Sequence, residues 1–262
     1  MFTLLLVATS EQVLNGCRNV FIDVGANTGE HIESVYNDTY ARGALKETFT
    51  RYFGPDTERR QTTCAVGIEP NPHQTQSLMS LQRRHEISGL RTTMLTEVAA
   101  TDAESNAQTF FVDNLTSSGR RHNEWGSTLF DYGAIQINGR ASRVRVRGLD
   151  LASWIQHNVL ERDIPVSPPS QRKAAVIVKM DVEGAEFLLL PRLLVTGVLC
   201  SLNALFVEFH DERVPGFVPL LKKTGAPFNF KANFEYMLRA AQRTPGCNVM
   251  LNHISPSQSD SR

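Results

Sequence analysis

Three side chains able to move a proton, Asp181, Glu183 and His210, follow two apolar runs, Val176 to Val178 and Leu205 to Val207. A carboxylate or an imidazole within hydrogen-bond reach can take the proton of a hydroxyl. A further acid, Glu69, closes the run Val66-Gly67-Ile68, where an open α/β sheet needs an acceptor for ribose hydroxyls. Ahead of all of these, Asp23-Val24-Gly25-Ala26-Asn27-Thr28-Gly29 carries two glycines that let the backbone turn and approach a ligand. The residue types therefore point to a nucleoside-containing ligand held beside a proton-transfer set.

These groups need a frame, and the apolar runs supply it. Val20-Phe21-Ile22 is β-branched or aromatic without polar alternation, as expected of a strand buried on both faces of a parallel sheet. A strand over 20–24 leads into a helix from Asn27 to Tyr36, and a helical stretch over 41–53 delays the second strand. A helix over 72–86 and a third strand over 92–99 follow, then an extra strand over 108–112. Arg143, Arg145 and Arg147 alternate with Val144 and Val146, which predicts a half-exposed strand whose arginines form a solvated face. A helix over 149–160 begins near Asp150, and Pro165, Pro168 and Pro169 mark a loop before the fourth strand. Strands alternating with helices predict an α/β fold, a doubly wound, mostly parallel sheet with helices on both faces. Phe234, Met237, Leu238 and Ala241 fit one face of a helix, and residues 248–254 form a last strand. At 262 residues, one domain over 1–255 with a disordered Ser-rich tail over 256–262 is expected.

The glycine spacing separates cofactor classes. A dinucleotide loop reads G-x-G-x-x-G, but Asn27 stands at the middle glycine position, which disfavours a pyrophosphate. The segment resembles the first motif of the S-adenosylmethionine-dependent methyltransferases, a strand ending in an acid followed by G-x-x-x-G. With Glu69-Pro70-Asn71-Pro72 and Lys179-Met180-Asp181-Val182-Glu183-Gly184-Ala185-Glu186 it is similar to the FkbM-type branch. Leu205 to His210 looks like that branch's fifth strand, ending Glu-x-His. The resemblance covers residues 19–210 and implies a Rossmann-like fold that binds S-adenosylmethionine. The implied cofactor contacts are Asp23, Val24, Gly25, Ala26, Asn27, Gly29, Glu69, Pro70, Asn71, Ala99 and Asp181. It also implies methylation of a hydroxyl on a small molecule, sugar or lipid, with Asp181, Glu183 and His210 as catalytic candidates. A dinucleotide oxidoreductase and a catalytically silent binding module are the alternatives.

Competing roles exist for several of these residues. Asp181 or Glu183 could cap a helix starting at Gly184, since acids suit helix N-termini, and Glu186 reads as a structural helix residue. Asp181, Glu183 and Glu208 offer hard oxygen ligands, but Lys179 and backbone amides can hold the same carboxylates, so no metal is expected. Residues 116–133, with Ser117, Arg120, Arg121, His122, Trp125 and Gly126-Ser127-Thr128, and the insertion 37–61 are the stretches that could shape an acceptor pocket.

Charge and cysteines narrow the partners. The 27 basic and 27 acidic residues cancel, so no chain-wide attraction to nucleic acid is expected, and a small or glycan hydroxyl acceptor fits better. The apolar run Phe2 to Ala8 is shorter than the ~20 residues that span a bilayer and reads as the first helix, so no membrane segment is expected within the chain. The four cysteines lack C-x-x-C spacing, which argues against structural zinc. They read as buried thiols, or Cys17 and Cys64, ahead of neighbouring strands, pair as a disulfide. Sequons at Asn37 and Asn114 permit glycosylation in a secretory compartment, although a cytoplasmic location is favoured.

Overall fold

The computed structural model of the protein describes residues 14–113, 116–117, 120–121, 126–130, 141–165, 172–210 and 229–254. The apolar runs form the strands expected of them. Strands β1 (Asn19–Val24), β2 (Thr63–Glu69), β3 (Arg91–Thr96), β9 (Val176–Met180), β10 (Ala204–Val207) and β11 (Met250–His253) make one sheet in the order β11-β10-β9-β1-β2-β3. Every pairing in it is parallel, and β1, β2, β9 and β10 are buried along their whole length. This is the Rossmann-like frame, with the crossover between β1 and β9 at its centre.

One apolar cluster fills each face of the sheet. Val20, Ile22 and Val24 point to the side covered by helices α5 (Leu151–Ile155), α6 (Glu186–Val195) and α7 (Phe230–Ala241). Phe21, Ala65 and Ile177 point to the side covered by α1 (Glu30–Tyr36), α2 (Gly43–Phe53) and α4 (Thr75–Ile87). The alternation follows from the period of two along a strand. Asp150 caps α5 by accepting from the Ser153 amide at 3.1 Å, and it also receives Arg192 from α6 at 2.8 Å.

Three expectations change. The predicted third strand splits at Glu97, whose φ of 58° lies in the left-handed region; β3 ends before it and β4 (Val98–Thr101) leaves for a second sheet. That sheet has the order β4-β8-β5, with β5 (Ser105–Asp113) antiparallel to β8 (Ala141–Asp150). Helix α1 starts at Glu30 rather than Asn27, because residues 25–29 are used by the turn. The last described strand pairs parallel with β10.

The insertion 37–61 does not reach the pocket edge. Tyr36, which closes α1, donates its hydroxyl to the carbonyl of Arg91 at 2.6 Å, at the start of β3. Arg59, in helix α3 (Asp56–Thr62), is fully buried and donates to the carbonyls of Val35 and Gly54 and to Asp38. The insertion is thus tied to the amino edge of the sheet, opposite the glycine loop.

Two disulfides are present, Cys17–Cys64 and Cys200–Cys247, with Cα separations of 5.7 and 4.3 Å. The first fastens the segment before β1 to β2, whose Cys64 lies beside Val20 in the register. No helix among the described residues is long and apolar enough to cross a membrane. The run 2–8, the sequon Asn114, Pro168, Pro169 and the tail 256–262 lie outside the described residues.

Candidate active site

The carboxyl ends of β1, β2, β9 and β10 lie side by side, so their following loops share one edge. The glycine loop is held from both neighbours. Gly25 and Ala26 donate their amides to the Ile68 carbonyl at 3.0 and 3.1 Å, and the Asp181 amide donates to Val24 at 3.0 Å. Gly25 has φ 82°, and a Cβ there would collide with the Asp181 carbonyl. Gly29, at φ 83°, is likewise in the left-handed region, and a Cβ there would also crowd Leu81 Cδ2 at 2.5 Å. Asn27 adopts φ 46° without being glycine, a conformation that asparagine tolerates better than most residues.

Glu69 joins the two loops. Its carboxylate accepts from the amide of Asn27 at 2.7 Å and of Asn71 at 2.8 Å. Burial raises its pKa to about 7 in spite of these two donors, and the nearby Asp23 carboxylate adds to the rise. Two donors leave lone pairs on both oxygens, enough for a pair of hydroxyl donors. Asn71 uses its side-chain oxygen to cap the turn at His73, and Pro70 fixes the exit from β2. Asn27 Oδ1 is buried with no hydrogen-bond partner among the described residues, as expected of an acceptor waiting for a ligand donor. A fully buried Asp23 lies below, with Lys179 Nζ 3.3 Å from its Oδ1. The same ammonium reaches Asp181 at 3.5 Å and the Gly25 carbonyl at 3.3 Å. Burial alone would lower the Lys179 pKa, but the carboxylates of Asp23 and Asp181 outweigh it and raise it.

The proton-transfer candidates converge across the same edge. His210 follows β10 and is 7% exposed; its Nε2 stands 3.5 Å from Glu183, 3.8 Å from Glu208 and 3.9 Å from Asp181. Its Nδ1 is 3.1 Å from Glu186, whose carboxylate also accepts the amides of Val182 and Gly184 at 3.0 and 2.9 Å. A carboxylate receiving two N–H groups is an acceptor, so the third partner must donate, and the Nδ1 proton is assigned. Burial acts to lower the His210 pKa, but the Glu186 hydrogen bond and the Glu183 charge raise it to about 9. Burial, then Asp181, raise Glu208.

Glu186 opens α6, as its helical reading expects, and its carboxylate also meets His210, a partner 24 residues away that the Glu-Gly-x-Glu spacing alone does not reveal. Ala185, the N-cap of α6, offers no side-chain cap, and Glu186 satisfies the amides of Val182 and Gly184 there. Glu183 sits at φ 54°, and its carbonyl accepts the hydroxyl of Thr128 at 2.7 Å. Thr128 is fully buried and bridges to β5 through Phe111, so the second sheet anchors residues 126–130 against the site. Ala99 lies on β4 at 1% exposure, packed with Phe110, Val112 and Val146. Val24 and Ala26 are buried beneath the loop. His122 and Trp125 lie outside the described residues, as do the side chains of Ser117, Arg120 and Arg121.

A family model described as the methyltransferase FkbM domain matches residues 23–240. The chain belongs to the FkbM methyltransferase family. The match runs from Asp23 to Ala240 and takes in every site element described above. No curated protein and no solved structure matches the chain. This FkbM chain is a methyltransferase, and its family generally draws the methyl group from S-adenosylmethionine.

Proposed function

We propose that this FkbM methyltransferase binds S-adenosylmethionine along the Gly25 to Glu69 edge and methylates a hydroxyl oxygen of a small molecule, sugar or lipid. One observation carries the reading: a buried carboxylate, Glu69, and a buried unpartnered acceptor, Asn27 Oδ1, flank a left-handed glycine turn at the sheet's switch point. Glu69 is suited to the two ribose hydroxyls and Asn27 Oδ1 to the cofactor's ammonium group. When bound, the cofactor supplies an electrophilic methyl carbon on a sulfonium.

The remaining work belongs to the chain. Holding the acceptor in line with the methyl group can contribute ~7–11 kcal/mol. Asp181 and Glu183, gathered at the ends of β9 and β10 and positioned by His210, take up the acceptor proton as the oxygen attacks. The two disulfides favour folding where disulfides persist, and so a hydroxylated glycan or lipid of an oxidising compartment as acceptor.

Calorimetric titration with S-adenosylhomocysteine and with NADH tests the cofactor class. Saturable binding of the first alone is expected. Binding of NADH alone would mean a dinucleotide enzyme, and binding of neither would mean a silent module.

A further inference from the structure

We infer that Asp181, Glu183 and His210 form a binding site for a divalent transition-metal ion, beside the proposed methyl-transfer centre and resting on that reading for its role. Asp181, Glu183 and His210 each bring one ligand atom, all within 4.8 Å of one another. Neighbouring atoms bound to one ion at about 2.0–2.2 Å stand about 3.0–3.8 Å apart, so His210 Nε2 and Glu183, at 3.5 Å, already fit, and Asp181, at 3.9 Å from Nε2, must move inward.

The second observation is the histidine itself. Its side chain is 7% exposed, and Nε2 is aimed into the carboxylates at 3.5, 3.8 and 3.9 Å, each longer than an ordinary N–H···O bond of about 2.7–3.2 Å. Its other nitrogen is bound to Glu186, which two backbone amides hold in place. A carboxylate that orients a histidine through the far ring nitrogen is the arrangement that supports metal-ligating imidazoles. With the proton on Nδ1, the Nε2 lone pair is presented toward the Asp181 and Glu183 oxygens. A metal ion would use that lone pair; a second proton on Nε2 is the competing occupant.

Imidazole favours transition metals and carboxylate favours hard ions, which together suit Mn²⁺. Its role would be to stabilise charge on the acceptor oxygen. The O–H proton passes to the second oxygen of a ligating carboxylate, Asp181 or Glu183, the oxygen's electron pair forms the bond to the methyl carbon, and the carbon–sulfur pair returns to sulfur.

The test uses the whole chain, stripped with a chelator and titrated with Mn²⁺ by calorimetry and by electron spin echo spectroscopy. One Mn²⁺ per chain is expected, with nitrogen modulation from one imidazole. Asp181→Asn and His210→Ala should each weaken Mn²⁺ at least tenfold, and His210→Ala should erase the nitrogen signal. Glu186→Gln should weaken it by about 10–100-fold through the orientation of His210. S-adenosylhomocysteine binding, measured on every variant, reports folding and the cofactor site separately. Absence of Mn²⁺ binding in a wild-type chain that binds S-adenosylhomocysteine would overturn the site, as would unchanged Mn²⁺ affinity in folded Asp181→Asn and His210→Ala. Mn²⁺ binding without S-adenosylhomocysteine binding would keep the metal and refute the methyl-transfer role.

Discussion

Cofactor affinity should depend on pH through Glu69. Its carboxyl is buried, accepts the amides of Asn27 and Asn71, and has a pKa raised to about 7, chiefly by burial. Hydroxyl donors of a ribose favour the ionised form, because only that form offers acceptors on both oxygens. With a pKa of about 7, about one chain in eleven is ionised at pH 6 and about ten in eleven at pH 8. The dissociation constant of S-adenosylhomocysteine should therefore fall by up to about tenfold between these values, about 1.4 kcal/mol. Free-chain stability should move the other way. The folded pKa lies above the ordinary 4.5, so the folded state binds more protons and stability falls as pH rises from about 4.5 through about 7. Glu69→Gln should abolish the Glu69 contribution to both trends and weaken the cofactor by one to two decades, the ~1.5–3 kcal/mol of charge-assisted bonds. Calorimetry from pH 6 to 8 on both proteins decides the matter. A flat wild-type profile, or a slope that survives in Glu69→Gln, would refute the assignment of Glu69 to the ribose.

Gly25→Ala should cost about 2–5 kcal/mol of stability, because the left-handed φ and the Asp181 carbonyl both oppose a Cβ; a denaturant midpoint equal to wild type would contradict the turn. Each disulfide closes a separation of 47 residues, so the paired Cys→Ser variants should each lose up to about 4 kcal/mol, and no thiol should react in the unreduced, denatured chain. Asp150→Ala removes a helix cap and the partner of Arg192, and should lower the melting temperature by about 2–8 °C for a loss of about 1–2 kcal/mol. With an acceptor in hand, Asp181→Asn or His210→Asn should cut turnover by ~10²–10⁴ while S-adenosylhomocysteine affinity stays within a factor of about three; normal turnover in both would move proton removal to another group.

Much of the frame was legible in local pattern. Val20 to Val24, Val66 to Glu69, Val176 to Met180 and Leu205 to Val207 read as buried strands because a strand covered on both faces needs an unbroken apolar run. Gly25 and the Asp150 start signal were equally visible, since turns and caps are chosen by residues a few positions apart. What tertiary structure decided lies at long range. The break at Glu97 sends β4 to β8, a partner about 50 residues away, for which the apolar pattern of 92–99 carries no sign. Strand β11 runs parallel to β10, and a strand's composition does not encode its direction. Arg59 lies in a polar helix, yet three acceptors from the preceding segments enclose it and fix the insertion to the far edge. The Glu186–His210 pair and the Thr128 bond to Glu183 arise only when β9, β10 and the second sheet meet, because hydrogen bonds between loops depend on where the strands end in space, not on the spacing of residues along the chain.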